Sequence, residues 1–107
     1  MSQSIIPIQV EDTSYAVWQN GKVRLDRWGK LRTLKIAWDG AISTSQTIIA
    51  TLDAGDRPPA ELTMSILGWL ASNRQRLIVY TNGAIAVVSN TGSYSDFFFA
   101  QISWIVQ

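Results

Sequence analysis

The chain contains no cysteine and no histidine. Without cysteine there is no disulfide and no thiolate nucleophile or metal ligand, and the redox compartment leaves no mark on the sequence. Without histidine the usual zinc ligand sets, the Ser-His and Cys-His nucleophile pairs and imidazole acid–base chemistry are excluded too. Charge is sparse, at 16% of residues, and nearly balanced at a net +1, so no global field draws the chain to nucleic acid or an anionic membrane. No apolar run reaches the roughly eighteen residues of a spanning helix, and no membrane insertion is expected. The opening Met1-Ser-Gln-Ser lacks the basic region and apolar stretch of a signal peptide. Phosphate-cradling Gly-Lys-Ser/Thr endings, the Gly-x-Ser-x-Gly elbow and the calcium-loop pattern are missing as well. These absences predict a protein that is not an enzyme and needs no cofactor or metal.

What remains is 107 residues, 47% of them apolar, which suits one globular domain over residues 1–107. That apolar share is generous for so short a chain and leaves room for contact with other copies. The apolar residues come in short runs bounded by turn formers, the signature of strands. Candidates are Ile5–Val10, Tyr15–Gln19, Lys22–Trp28, Leu31–Trp38, Gln46–Leu52, Glu61–Leu70, Gln75–Thr81, Ala84–Ser89 and Phe97–Val106. Asn20-Gly21 predicts a type I′ hairpin, because both central residues tolerate positive φ. Asn82-Gly83 marks a second hairpin, and Asp39-Gly40 another turn. Gly55 and Pro58-Pro59 exclude regular structure from Asp53 to Ala60, and Asn90–Asp96 reads as a polar loop. The expectation is an all-β fold, a sandwich or barrel of about eight or nine short strands.

Chemistry-bearing residues are few. Asp39, Asp53, Asp56 and Asp96 sit at turns, where an aspartate ordinarily bonds nearby backbone amides. Nothing sets two of them about 5 to 9.5 Å apart across a cleft, as glycoside hydrolysis requires. Lys22, Arg24, Arg27, Lys30, Arg32 and Lys35 are interleaved with Trp18, Trp28 and Trp38, a pattern compatible with single-stranded nucleic acid. It equally describes a half-solvated strand, with Lys22, Arg24 and Asp26 on one face and Val23 and Leu25 on the other. The five tryptophans suit a core, a subunit interface or a sugar-stacking surface. Whether Trp104 and Phe97-Phe98-Phe99 fill the chain's own core or meet other copies stays open at this level.

The stretch Gln46–Val88 contains Thr51, Leu52, Gly55, Arg57 and Pro58, then Asn82, Gly83, Ile85 and Val87. It resembles the head domains of phage receptor-binding proteins from tail tips that attach to lactococci and related Gram-positive bacteria. Val23-Arg-Leu-Asp-Arg-Trp-Gly-Lys-Leu resembles the segment preceding that loop, so the likeness covers about residues 20 to 106. Asp53 and Asp56 depart from the pattern, which has proline and an aromatic residue there. In this pattern Gly55 would permit a tight bend, Pro58 would stiffen the exit and Arg57 would bond across the loop.

The resemblance implies a Greek-key β-barrel or sandwich, a homotrimer, and adhesion to bacterial cell-wall saccharide from the tail tip or baseplate of a virion. It further implies contact with other tail or baseplate proteins, and that the chain is the C-terminal module of a longer fibre. No ligand-binding residue carries over from it. On physical grounds the candidates are Trp38, Asp39, Trp69, Arg74, Tyr94 and Asp96, all placed at strand ends or in loops. The aromatics would stack on sugar rings while Arg74 and the aspartates bond hydroxyls or a glycerol-phosphate unit. The alternatives are a structural tail module that binds only virion proteins and, further off, a nucleic-acid-binding barrel using Lys22–Lys35.

Overall fold

The computed structural model describes residues 13–67, 74–89, 92, 94–95 and 97–107. The predicted strand Ile5–Val10 lies outside them. Strands β1 (Thr13–Trp18), β2 (Val23–Trp28), β3 (Leu31–Trp38) and β10 (Phe98–Ile105) form one antiparallel sheet in the order β1-β2-β3-β10. Strands β5 (Thr47–Thr51), β6 (Leu62–Leu67), β7 (Arg74–Val79) and β8 (Ala84–Ser89) form the other, in the order β5-β8-β7-β6. Three consecutive strands with the preceding one laid beside the last is a Greek-key order. A two-residue pair, β4 (Ala41–Ile42) and β9 (Tyr94–Ser95), links the chain beyond β3 to the approach to β10. The fold is an all-β sandwich, as the alternation implied.

Period-two patterning sets which residues enter the core. In β2, Val23 and Leu25 are fully buried while Arg24 faces out. In β3, Leu34 and Ile36 are buried between exposed Lys35 and Ala37. They meet Leu77, Val79, Ile85 and Val87 from the facing sheet, with Phe98 and Trp104 from β10, in one apolar cluster. Phe98 and Trp104 therefore fill the chain's own core, whereas Phe97 and Phe99 stand on the opposite, solvent face.

The turns differ in detail from the sequence expectation. Gln19, Asn20 and Gly21 all have positive φ, and Trp18 pairs with Val23, so the connection is a four-residue loop rather than a type I′ turn. A tertiary contact accounts for it. The β5 register shifts between Ile48 and Ala50, a bulge at Ile49, and Gln19 donates its side-chain amide to the Ile49 carbonyl at 3.0 Å. Asn82-Gly83 ends a three-residue loop in which Gly83 N–H bonds the Tyr80 carbonyl and Gly83 takes φ +92°. Part of the predicted loop Asn90–Asp96 forms β9, whose short pairing carries no alternation to read.

At one end of the sandwich the loop after β5 is pinned by a buried carboxylate. Asp56 ends the 3-10 turn Ala54–Asp56 and is 4% exposed. It accepts hydrogen bonds from Arg27 at 2.8 and 2.7 Å and from Arg32 at 2.7 Å. Asp56 is thus a long-range clamp, and the reading of it as a turn aspartate bonded to nearby amides is corrected. Its backbone carbonyl also accepts the Trp104 indole N–H at 2.8 Å. Beside it, Leu52 N–H bonds the Gly83 carbonyl at 2.8 Å, joining the loop to the β7–β8 hairpin. Gly83 is the glycine this junction requires: a Cβ there would stand 2.6 Å from the Leu52 carbonyl oxygen. Gly55, expected to permit a tight bend, has no positive φ, and a Cβ on it would meet nothing within 4 Å.

Candidate functional site

Four of the residues nominated from sequence lie toward the other end of the sandwich. Trp38 and Asp39 close β3, Arg74 opens β7 beside Leu67, and Tyr94 pairs with Ile42 through the β4–β9 backbone. Trp69 and Asp96 lie outside the described residues. Trp38 faces inward and packs against the core. Gly40 lies so close to its indole that a Cβ would stand 3.1 Å from the ring. Lys22 Nζ lies 5.8 Å from the ring centroid and 2.6 Å from the Asp39 carboxylate. The ring edge and the carboxylate are thus engaged by protein groups, while the Asp39 side chain stays 42% exposed. The Trp38 indole nitrogen is buried with no hydrogen-bond partner among the described residues. Arg74 is exposed at its strand start.

A different surface carries the accessible chemistry. Antiparallel register places Thr13, Tyr15 and Val17 of β1 opposite Trp28, Asp26 and Arg24 of β2. These lie in turn opposite Leu31, Thr33 and Lys35 of β3, which face Ile105, Ser103 and Gln101 of β10. All share the outer face of the β1-β2-β3-β10 sheet. Of eight exposed large apolar side chains among the described residues, seven are on this side: Tyr15, Val17, Trp28, Leu31, Phe97, Phe99 and Ile105. Single exposed apolar residues need no explanation, but a contiguous set on one face marks an interaction surface.

Over β1 and β2 this face forms an open depression of about 830 Å³ whose lining includes Tyr15, Arg24, Asp26, Trp28, Leu31 and Lys35. Tyr15 and Trp28 are each 60% exposed. The Arg24 guanidinium stacks 4.3 Å from the Tyr15 ring centroid, which leaves the second face of that ring outward. Arg24 also donates to Asp26 at 2.8 Å, and Lys35 Nζ lies 3.3 Å from the other oxygen of the same carboxylate. Burial opposes ionisation of Asp26, but the hydrogen bonds from Arg24 and Lys35 hold its carboxyl below the ordinary carboxylate value. Asp26 is therefore an ionised acceptor in the middle of the depression, fixed by two cations.

The basic segment resolves accordingly. Five of its six cations are engaged by three aspartates: Lys22 by Asp39, Arg24 and Lys35 by Asp26, and Arg27 and Arg32 by Asp56. Arg27 and Arg32 turn toward Asp56, although Arg27 also bonds Ser14 at the rim of the depression. The parity that buries Val23 and Leu25 also points Arg27 inward, and Leu34 and Ile36 do the same for Arg32, so the alternation held this information. Tyr15 and Trp28, not nominated from sequence, become neighbours only through the β1–β2 register, which the four-residue loop sets. Scans against family models and against curated proteins find no match to this chain.

Proposed function

We propose that the protein is a saccharide-binding adhesion module, and that sugar lies on the outer face of the β1-β2-β3-β10 sheet against Trp28 and Tyr15. The observation that carries this reading is the depression in which two exposed rings flank an ionised Asp26 held by Arg24 and Lys35. A sugar ring has apolar C–H faces and a rim of hydroxyls. An aromatic platform takes the faces, and a carboxylate beside guanidinium and ammonium donors takes the rim. The shallow, open shape suits a chain of sugars rather than a small ligand that must be enclosed. Asp26 offsets one of its two cations, so the cluster keeps a single net positive charge, little to hold a polyanion by charge, against the nucleic-acid alternative. The resemblance of Gln46–Val88 to phage tail receptor-binding heads supports bacterial cell-wall saccharide as the ligand and the tail tip of a virion as the setting.

The test is a tryptophan-fluorescence titration with cell-wall polysaccharide from Gram-positive bacteria. Saturable binding is expected, weakened by about tenfold or more in Trp28→Ala through lost ring burial. Binding that survives Trp28→Ala unchanged, or fails for every wall preparation, would refute the reading.

A further inference from the structure

β10 ends the sheet order, and among the described residues its outer edge is unpaired. Its eight pairs with β3 run from Phe98↔Trp38 to Ile105↔Leu31 without a register shift, so no bulge interrupts it. From Phe97 to Gln107 the chain has no charged residue, no proline and no glycine. An edge strand normally carries one of those devices, because its unpaired N–H and C=O groups otherwise recruit another strand. This one carries none.

Backbone direction identifies the groups on offer. Val106 N–H bonds the Lys30 carbonyl, across toward β3. Alternate residues of a strand point their backbone groups the same way. Phe98, Ala100, Ile102 and Trp104 therefore face β3, and Phe99, Gln101, Ser103 and Ile105 present N–H and C=O at the free edge. The side chains of those same four residues lie on the outer face, with Phe99 65% and Ile105 57% exposed.

We infer that β10 pairs antiparallel with β10 of a second copy of this chain, across a two-fold axis between Gln101 and Ser103, in place of the homotrimer that the resemblance implies. In that register Phe99 lies opposite Ile105 of the second copy, and Gln101 opposite its Ser103. Apolar meets apolar and polar meets polar, and no charge is set against its like. Each facing pair exchanges two backbone hydrogen bonds. The row Trp28–Leu31–Ile105 then continues into Phe99 and Ala37 of the second copy, which gives the exposed Phe99 and Ile105 an apolar neighbour. Self-complementarity of this kind is what a two-fold interface requires.

The test is sedimentation equilibrium of the full chain across a concentration series, with circular dichroism to confirm folding of each variant. The wild type is expected to reach twice its 11.9 kDa chain mass. Phe99→Lys and Ile105→Glu should each raise the half-dimerisation concentration by about tenfold or more. The variant carrying both substitutions should recover most of that loss, because the ammonium introduced in one copy then faces the carboxylate introduced in the other. Phe99 lies outside the lining of the depression, so Phe99→Lys should weaken pairing without affecting polysaccharide binding. A wild type that stays at one chain mass up to about 1 mM, where even weak specific pairs form, would overturn the inference. So would a three-chain particle, or a double variant no better than the worse single.

Discussion

Asp56 shows how much one side chain can carry in a chain poor in charge. Its two oxygens receive three guanidinium hydrogen bonds, and its carbonyl receives the Trp104 indole, so one residue ties the loop to β2, β3 and β10. Asp56→Ala would leave Arg27 and Arg32 half-buried side by side without a counter-charge. Chemical denaturation should then show a loss of about 3 kcal/mol or more, the usual cost of orphaning a buried ion. Hydrogen bonding from Arg27, joined by Arg32, holds the Asp56 carboxyl below its ordinary value near 3.8 in spite of burial. A carboxyl depressed in the folded state stabilises above its unfolded value, and that contribution is lost as pH falls through the lower folded value. Stability should therefore drop below about pH 4, and less steeply in Asp56→Ala than in the wild type. Gly83→Ala acts at the same end of the molecule. It sets a Cβ 2.6 Å from the Leu52 carbonyl at φ +92°, and should cost more than about 1 kcal/mol by the same measurement.

At the scale of elements, period-two reading recovers β3 and β8 residue for residue and most of the remaining described strands to within a few positions. It works because each strand has one core face, so a slip of one residue would bury Arg24 or Lys35 in place of Leu25 or Leu34. It fails where no alternation exists, as in the two-residue β4–β9 pair. It also fails where a distant contact sets the loop, as Gln19 does through the Ile49 bulge. The candidate site was legible only in part. Alternation alone puts Lys22, Arg24 and Asp26 on one face, whereas Lys35, Tyr15 and Trp28 join Arg24 and Asp26 only through strand register. The nominated strand-end residues followed the rule that loops carry function. Around Trp38 and Asp39 the ring packs on Gly40 and the core and the carboxylate pairs with Lys22, whereas the exposed rings stand on the sheet itself.

At the scale of the molecule the two faces of one sheet divide the work. The inner face, with Val23, Leu25, Leu34, Ile36 and Trp104, joins the opposite sheet in the core. The outer face keeps seven large apolar side chains in solvent, an arrangement that costs solubility unless something covers it. Sugar would lie over β1, β2 and β3 and reach as far as Gln101, while a second copy would pair along the outer edge of β10. Binding and pairing are separable at residues that belong to one surface alone: Phe99→Lys should leave polysaccharide affinity intact, and Trp28→Ala should leave the dimer intact. The most direct test of the account is amide chemical-shift mapping during titration with Gram-positive cell-wall polysaccharide fragments. The account predicts the largest shifts at Tyr15, Arg24, Asp26, Trp28 and Lys35; shifts confined to the end around Trp38, Asp39 and Arg74, or none at saturating polysaccharide, would contradict it.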